Sequence, residues 1–368
     1  MSRALQRWVT AQWQVRGVLA WILRPLAWLA QWHVLRKQAA YRSGRRQAHH
    51  PGVPVIVVGN IYVGGTGKTP VVIAVTRHLQ SRGFRPGIVS RGYGVKPGAR
   101  ARTGHQDVTA ESFGDEPTLI NRQTGVPIGV HPSRVAAAKA LLAAYPEVDV
   151  LVSDDGLQHL ALARDVEILV QDGRGIGNGL MLPAGPLREP AGRREVVDAV
   201  ITNLRFEPVA AHPIAQRASG GLDDASMRTL PGRPAQVVMR TIAGQTHQVH
   251  GTGLRSLTDW AAISTTSRIV AVAAIGQPQL FFDLLRQAGI CLSETHAWPD
   301  HQAFDDSTFQ RIQADVILMT SKDAVKCDAL VDLRLWEVPI EADFDPVDFL
   351  EHIIPFHPRT RHPRDGSD

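Results

Sequence analysis

The stretch Val53–Pro70, VPVIVVGNIYVGGTGKTP, decides the fold. Its first part, Val53–Gly59, is a short β-branched run that reads as a fully buried strand. A glycine-rich loop follows, and Pro70–Gln80 reads as a helix. Strand, glycine loop and helix in this order let backbone N–H groups converge on phosphate oxygens, because glycine has no Cβ to block the approach. The helix N-terminus adds partial positive charge. Gly64, Gly65, Thr66 and Gly67 would form the cradle. Lys68 would reach the β- and γ-phosphates of ATP, and Thr69 would place its hydroxyl on Mg²⁺. The strict spacing asks for Gly at position 62, where this chain has Tyr62. Gly64 and Gly65 supply the freedom closer to the lysine.

Outward from this loop, the same alternation continues. Arg85–Ser90, Val148–Ser153, Val166–Gln171 and Ala199–Thr202 read as strands, and Val135–Ala144 as an Ala-rich helix. Residues 207–235 are rich in Pro, Ala and Gly and read as a boundary. Gln236–Ile242 and Gln248–Gly253, around an Ala-Gly turn, read as a hairpin linker. A second pattern then begins, with strands at Arg268–Ala274, Asp315–Thr320 and Leu335–Val338 and helices at Pro278–Ala288 and Pro346–Ile354. The expected fold class is α/β, a P-loop NTPase-like core with a parallel sheet, plus a smaller second α/β domain and an N-terminal interfacial helix. The expected boundaries are 1–40 for the membrane-associating helix, 41–235 for the core and 236–253 for the linker. Residues 254–356 form the smaller domain and 357–368 a polar tail.

The charge is uneven. Residues 1–106 contain 17 Lys or Arg and no acidic residue, whereas residues 107–368 hold the other 23 basic and all 35 acidic side chains. A basic first third implies an anionic partner. Five of the eight tryptophans, Trp8, Trp13, Trp21, Trp28 and Trp32, fall in the first 32 residues among Arg3, Arg7, Arg16 and Arg24. Val18, Trp21, Ile22, Leu29 and Trp32 share a helical face. Such a segment suits the headgroup region of an anionic membrane surface. Its longest uncharged run, Pro25–Leu35, is too short to span a bilayer. Packing of this helix on the protein's own core is the competing reading. No cleavage site closes a signal-peptide core, no nucleic-acid-reading motif accompanies the charge, and no obligate protein partner is implied. The two cysteines, Cys291 and Cys327, suggest a reducing compartment and no Cys-based metal site.

Asp154 and Asp155 follow the strand VDVLVS, where a Walker-B carboxylate belongs; a turn before Gly156 is the plainer alternative. Mg²⁺ is a hard cation that takes carboxylate and phosphate oxygens. Asp115 sits in FGDEP, a turn-like segment, and could accept a proton from an attacking hydroxyl. His301 lies in WPDHQAF of the second domain. Arg188 and Glu189, in LPAGPLREP, sit in a Gly/Pro-framed loop of the kind that displays charged groups.

Taken together, VGNIYVGGTGKTP (58–70), SRGYG (90–94), GDEP (114–117), DDGLQH (154–159), GNGLMLPAGPLREP (177–190), IGQP (275–278), PDHQAF (299–304) and TSKDAVK (320–326) resemble one family, the tetraacyldisaccharide 4'-kinases, or lipid A 4'-kinases. The resemblance runs from about residue 53 to 326. It implies transfer of the ATP γ-phosphoryl group to the 4'-hydroxyl of a tetraacylated glucosamine disaccharide 1-phosphate, a lipid-linked substrate, at the cytoplasmic face of the inner membrane. It implies that Lys68 and Thr69 contact phosphate and Mg²⁺. Asp155 and Glu189 would help hold the metal, with Asp154 supporting. Asp115 and His301 would activate the sugar hydroxyl, Arg188 would neighbour the phosphates, and Arg91 would meet nucleotide or substrate. The chain departs from the family pattern at Tyr62, at Gln277 where Asn is usual, and at Ser321 where Glu is usual. A membrane-recruited P-loop ATPase or GTPase switch is the alternative function, weakened in its GTPase form by the lack of an NKxD motif.

Overall fold

A computed structural model of the chain describes residues 11–92, 98, 100–205 and 233–357. Arg3, Arg7 and Trp8, most of the 207–235 boundary, Tyr93 and Gly94 of SRGYG, and the tail from residue 358 lie outside the described residues. The secondary elements are α1 (Val18–Arg42), β1 (Val55–Gly59), α2 (Lys68–Ser81), β2 (Pro86–Ser90), β3 (Arg102–Gly104), α3 (Ala110–Phe113), α4 (Asp115–Thr124), β4 (Ile128–Val130), α5 (Arg134–Ala144), β5 (Val150–Asp154), β6 (Val166–Asp172), β7 (Ala199–Arg205) and β8 (Ala235–Ala243). They are followed by β9 (Thr246–Gln248), β10 (Leu254–Arg255), α6 (Leu257–Ile263), β11 (Ile269–Ala273), α7 (Pro278–Gln287), β12 (Glu294–Ala297), α8 (Asp306–Gln310), β13 (Val316–Thr320), α9 (Ser321–Ala324), β14 (Leu335–Val338), β15 (Ile340–Asp345) and α10 (Phe349–Ile353).

Among the described residues, nine strands form the larger sheet in the order β15-β8-β7-β6-β1-β5-β2-β4-β3. Its interior pairings are parallel, and the edge strands β3 and β15 run antiparallel to their neighbours. Strand β1 sits between β5 and β6, and its side chains alternate between two cores. Ile56 and Val58 join the cluster built on α2, and Val55 and Val57 join the one built on α5. Burial on both faces is why this strand reads as an unbroken apolar run. The loop after β1 therefore opens at the carboxyl ends of β1, β5 and β6, the crevice where open α/β sheets bind ligands.

Several expectations are corrected. Residues 236–253 do not pair as a hairpin. Strand β8 lies parallel to β7 and antiparallel to β15 in the larger sheet, while β9 pairs with β10 and β14 in the second sheet, ordered β10-β9-β14-β13-β11-β12. A register fixed by burial outweighs the local turn signal. The chain also returns after the second sheet: β15 closes the larger sheet, and Phe349, Leu350 and Ile353 of α10 enter its core. FGDEP is not a simple turn. Gly114, at φ 93°, turns the chain into α4, and Asp115 is that helix's first residue. Pro117 sits in the first turn, where helical N–H groups lack partners anyway.

Helix α1 runs unbroken through Pro25. It is long and apolar enough to cross a membrane by length and composition, which the uncharged run taken alone did not suggest. Only Ala20 and Ala27 are buried within it. Val18, Ile22, Leu29 and Trp32 are 77%, 67%, 64% and 58% exposed. The competing reading, a helix with its apolar face on the protein's own core, is not what the chain adopts.

The second sheet has its own core. Trp260 of α6 is 1% exposed, meets Trp336 edge-on at 4.8 Å between ring centroids, and donates its indole N–H to Thr246 Oγ1 at 2.8 Å. Trp260→Ala is expected to destabilise this unit by about 3–5 kcal/mol. Urea unfolding followed by circular dichroism checks this, and a midpoint shift worth under about 1 kcal/mol would contradict it.

Candidate active site

The glycine loop is held from three sides. Asn60 Nδ2 donates to Gly64 O at 3.2 Å and to Thr66 Oγ1 at 3.0 Å. Asn203, at the end of β7, donates to Thr66 O at 3.2 Å. Gly64 and Gly67 take φ values of 103° and 90°, a region L-residues rarely adopt. Gly67 caps α2, so Lys68 and Thr69 open that helix. Tyr62, in place of the expected glycine, is 2% exposed and serves as a platform. The Arg174 guanidinium lies 4.3 Å over its ring and donates to Gly65 O at 3.3 Å, while Asp172 holds it at 2.7 Å. The phenol accepts from Gln14 Nε2 at 2.8 Å.

Asp154 ends β5 and is 3% exposed. Ser90 Oγ donates to its Oδ2 at 2.9 Å, and Arg134 Nη2 to its carbonyl at 2.9 Å. Burial, reinforced by Glu116 and Asp155, pushes the Asp154 carboxyl up to about 6. Asp155, at φ 48°, turns out of the strand toward the loop. Its Oδ1 lies 3.5 Å from Lys68 Nζ and its Oδ2 accepts from Arg188 Nη1 at 3.1 Å. Burial favours the neutral acid here too, but the two cations prevail and hold Asp155 below the usual carboxylate range. The β-branched strand thus ends in two carboxylates with opposite tendencies, one inward and one shared between the P-loop lysine and Arg188.

Arg188 is carried by a loop tied back to the phosphate loop: its N–H donates to Ile61 O at 2.7 Å, and Val63 N–H to Pro186 O at 2.9 Å. Glu189 is 1% exposed. It accepts from Gln158 Nε2 at 2.6 Å and from Gln38 Nε2 of α1 at 2.9 Å, with Arg193 Nε 3.4 Å away. No direct contact joins Glu189 to Asp155 among the described residues. Arg91 follows β2 and is exposed. Its charge, together with the larger effects of burial, helps lower His159 to about 4 and Arg134 to about 10.

Asp115 and His301, 186 positions apart, meet across the two sheets, with His301 Nδ1 2.9 Å from Asp115 Oδ2. The structure therefore brings together two constellations, Lys68–Asp155–Arg188 and Asp115–His301. Sequence reasoning missed Arg134, Gln158, Gln38 and Lys322. Gln158 and Lys322 lie inside the strings DDGLQH and TSKDAVK, which could have flagged them. Arg134 in an Ala-rich helix and Gln38 at a helix end carry no local signal.

The donor set would suit a hard cation: Asp155, Glu189 and the Thr69 hydroxyl offer oxygen atoms, the kind of ligand Mg²⁺ takes. Among the described residues no cluster of three or more His, Cys, Asp or Glu is preassembled.

A parallel-sheet P-loop core, a lysine on the helix start and a carboxylate ending a neighbouring strand define a P-loop phosphotransferase fold. The family model for tetraacyldisaccharide-1-P 4'-kinase matches residues 19–355. A tetraacyldisaccharide 4'-kinase from Bordetella parapertussis is 52% identical over 94% of this chain and 95% of its own length. The Herminiimonas arsenicoxydans enzyme of that name is 45% identical over 95% of each. The crystal structure of LpxK from Aquifex aeolicus in complex with ATP covers 92% of this chain and 100% of its own, with a TM-score of 0.72 at 24% identity, a likeness of fold. The chain belongs to the tetraacyldisaccharide-1-P 4'-kinase family.

A Cβ on residue 67 would lie 2.2 Å from Asn203 Nδ2, on a backbone at φ 90°. Gly67→Ala should weaken ATP binding at least about 10-fold, since strain and displacement of Asn203 together exceed 1.4 kcal/mol. Gly192, with open space at its Cβ, provides the control. Titration calorimetry giving equal affinities for Gly67→Ala and Gly192→Ala would contradict the assignment.

Proposed function

We propose that this chain is a lipid kinase that transfers the γ-phosphoryl group of ATP to the 4'-hydroxyl of a tetraacylated glucosamine disaccharide 1-phosphate, working at the cytoplasmic face of the inner membrane. The observation that carries the reaction chemistry is the Asp115–His301 pair, a carboxylate oriented by an imidazole at the start of α4, the helix that packs on the P-loop helix α2. The sugar oxygen forms a bond to the γ-phosphorus while the bond from that phosphorus to the ADP oxygen breaks. Asp115 takes the hydroxyl proton, and His301 fixes the direction of the accepting carboxylate. Lys68 leaves Asp155 for the β/γ-phosphate oxygens, and Arg188 follows it, so the charge each held in the free protein passes to the substrate. Asp155, Glu189 and Thr69 would hold Mg²⁺, with Asp154 behind Asp155. When bound, the ion neutralises charge on the phosphates. Arg91, exposed beside the site, suits an anionic group of nucleotide or substrate. Because His301 comes from the second sheet, closure of the two units both completes the pair and excludes water, the competing acceptor.

Helix α1 supports the membrane reading. Its exposed apolar residues are interleaved with arginines stacked on tryptophans: Arg24 over Trp21 and Trp28, and Arg36 over Trp32. Those pairs place an apolar body and a cationic edge together, the arrangement that suits a headgroup layer.

Two outcomes follow. Asp115→Ala and His301→Ala should each lower single-turnover transfer about 10²–10⁴-fold with ATP affinity preserved. The double variant should be little worse than the worse single one, because removing half of a unit disables it. Losses that multiply would separate the two residues into different steps. For the membrane, Ile22→Ser/Leu29→Ser/Trp32→Ser should lose at least about 10-fold in partitioning onto anionic vesicles, with nucleotide affinity unchanged. Equal sedimentation with vesicles would move the contact elsewhere.

A further inference from the structure

The second unit meets the core along α4 through three polar pairs. Asp115 meets His301 at the helix start. Arg122, seven residues on and so on the same face, has Nη2 2.5 Å from Asp328 Oδ1. Between them, Lys322 Nζ lies 3.3 Å from Glu116 Oε1 and 3.3 Å from Asp300 Oδ1. Glu116 is the residue after Asp115, and Asp300 is the residue before His301. One ammonium thus joins the chain neighbours of both members of the pair.

We propose that Lys322 is a positioning residue that locks the Asp300–His301 turn onto the start of α4, so that the Asp115–His301 hydrogen bond forms in working geometry. The inference rests on the reading of Asp115 as the base and His301 as its partner.

Three observations support it. First, the ammonium is presented from a rigid seat. Lys322 lies between Thr320 and Asp323, and Thr320 Oγ1 donates to Asp323 Oδ2 at 2.7 Å, the carboxylate oxygen that also accepts from Ala274 N–H at 3.0 Å. Asp323 is fully buried. Second, His301 stands at φ 62°, an uncommon backbone for a non-glycine residue that persists only where its surroundings hold it. Both of its chain neighbours are held: Asp300 by Lys322 at 3.3 Å, and Gln302, whose carbonyl accepts from Lys326 Nζ at 3.0 Å. Third, Glu116, Asp300 and Asp115 gather three carboxylates around a lysine whose side chain is 17% exposed. Burial alone would lower the Lys322 ammonium, yet Glu116 and Asp300 hold it above its ordinary value, so the cation persists. Without it, Glu116 and Asp300 would repel each other across the gap.

The test compares Lys322→Met, which keeps length and removes charge, with Lys322→Arg, Glu116→Gln and Asp115→Ala. Among the described residues, the charged groups around Asp115 are His301, Asp300 and Lys322 from the second unit and Glu116 on α4, with Asp154 acting on Glu116 from the nucleotide side. Lys322→Met should keep ATP affinity and lower the single-turnover rate about 10- to 100-fold. It should also move the acid limb of the pH–rate profile upward, because Asp115 then faces carboxylates without their cation. A purely structural role would lower the rate without moving that limb. Lys322→Arg should restore most of the rate. Glu116→Gln combined with Lys322→Met should be no slower than Lys322→Met alone. An unchanged rate and acid limb in Lys322→Met, with Asp115→Ala inactive, would overturn the inference and leave the base assignment standing. A fully active Asp115→Ala would instead remove the base assignment, and the inference with it.

Discussion

A single hydrogen bond of 2.9 Å, from one domain to the other, is the constraint on which the site depends. Asp115 is placed by a glycine turn and a helix start in the core, and His301 by a left-handed turn in the second unit. Neither residue can be positioned by its own neighbourhood alone. The chain meets this requirement by crossing between the sheets more than once. It leaves the core through β8, builds the second sheet, and returns through β15 and α10. Two covalent passages restrict how far the units can separate, and the polar pairs along α4 set how they meet.

The nucleotide side obeys a different economy. Asp155 is shared by Lys68 and Arg188, so the two cations proposed to meet phosphate are held in place by one carboxylate. Lys68 and its partner are each only partly exposed, which makes the pairing stronger than a surface ion pair but still exchangeable. Arg188 shares its loop with Glu189, and Glu189 is bonded to Gln38 near the end of α1. The helix read as the membrane element is therefore seated directly on a candidate metal ligand. Just before α1, Trp13 and Arg16 also touch that loop, at Pro183 and Asn178.

Much of this was legible in the sequence because it rests on local chemistry. VPVIVVG reads as a buried strand because both of its faces pack, and GGTGKT reads as a phosphate loop because only glycine tolerates the conformations at 64 and 67. The carboxylates at 154 and 155 follow from their place at a strand end. The rest is tertiary. The Ala-Gly turn near residue 244 looked like a hairpin, but its two arms pair in different sheets, β8 with β7 and β15 and β9 with β10 and β14. GDEP looked like a turn, because a proline in the first helical turn resembles one at a loop corner. Arg134 and Lys322 are ordinary basic residues in sequence, and only burial beside Asp154 and Asp300 gives them a role. The exposed face of α1 was legible from its tryptophans and arginines, whereas its contact with Glu189 was not.

The central claim is that Asp115 and His301 form one unit in the folded chain. The most direct measurement is ¹⁵N NMR of the His301 ring in the intact protein and in Asp115→Ala. The account predicts a single tautomer with the proton on Nδ1, facing the Asp115 carboxylate, and a change in that tautomer balance when the acceptor is removed. A His301 ring with the same tautomer balance in both proteins would contradict it.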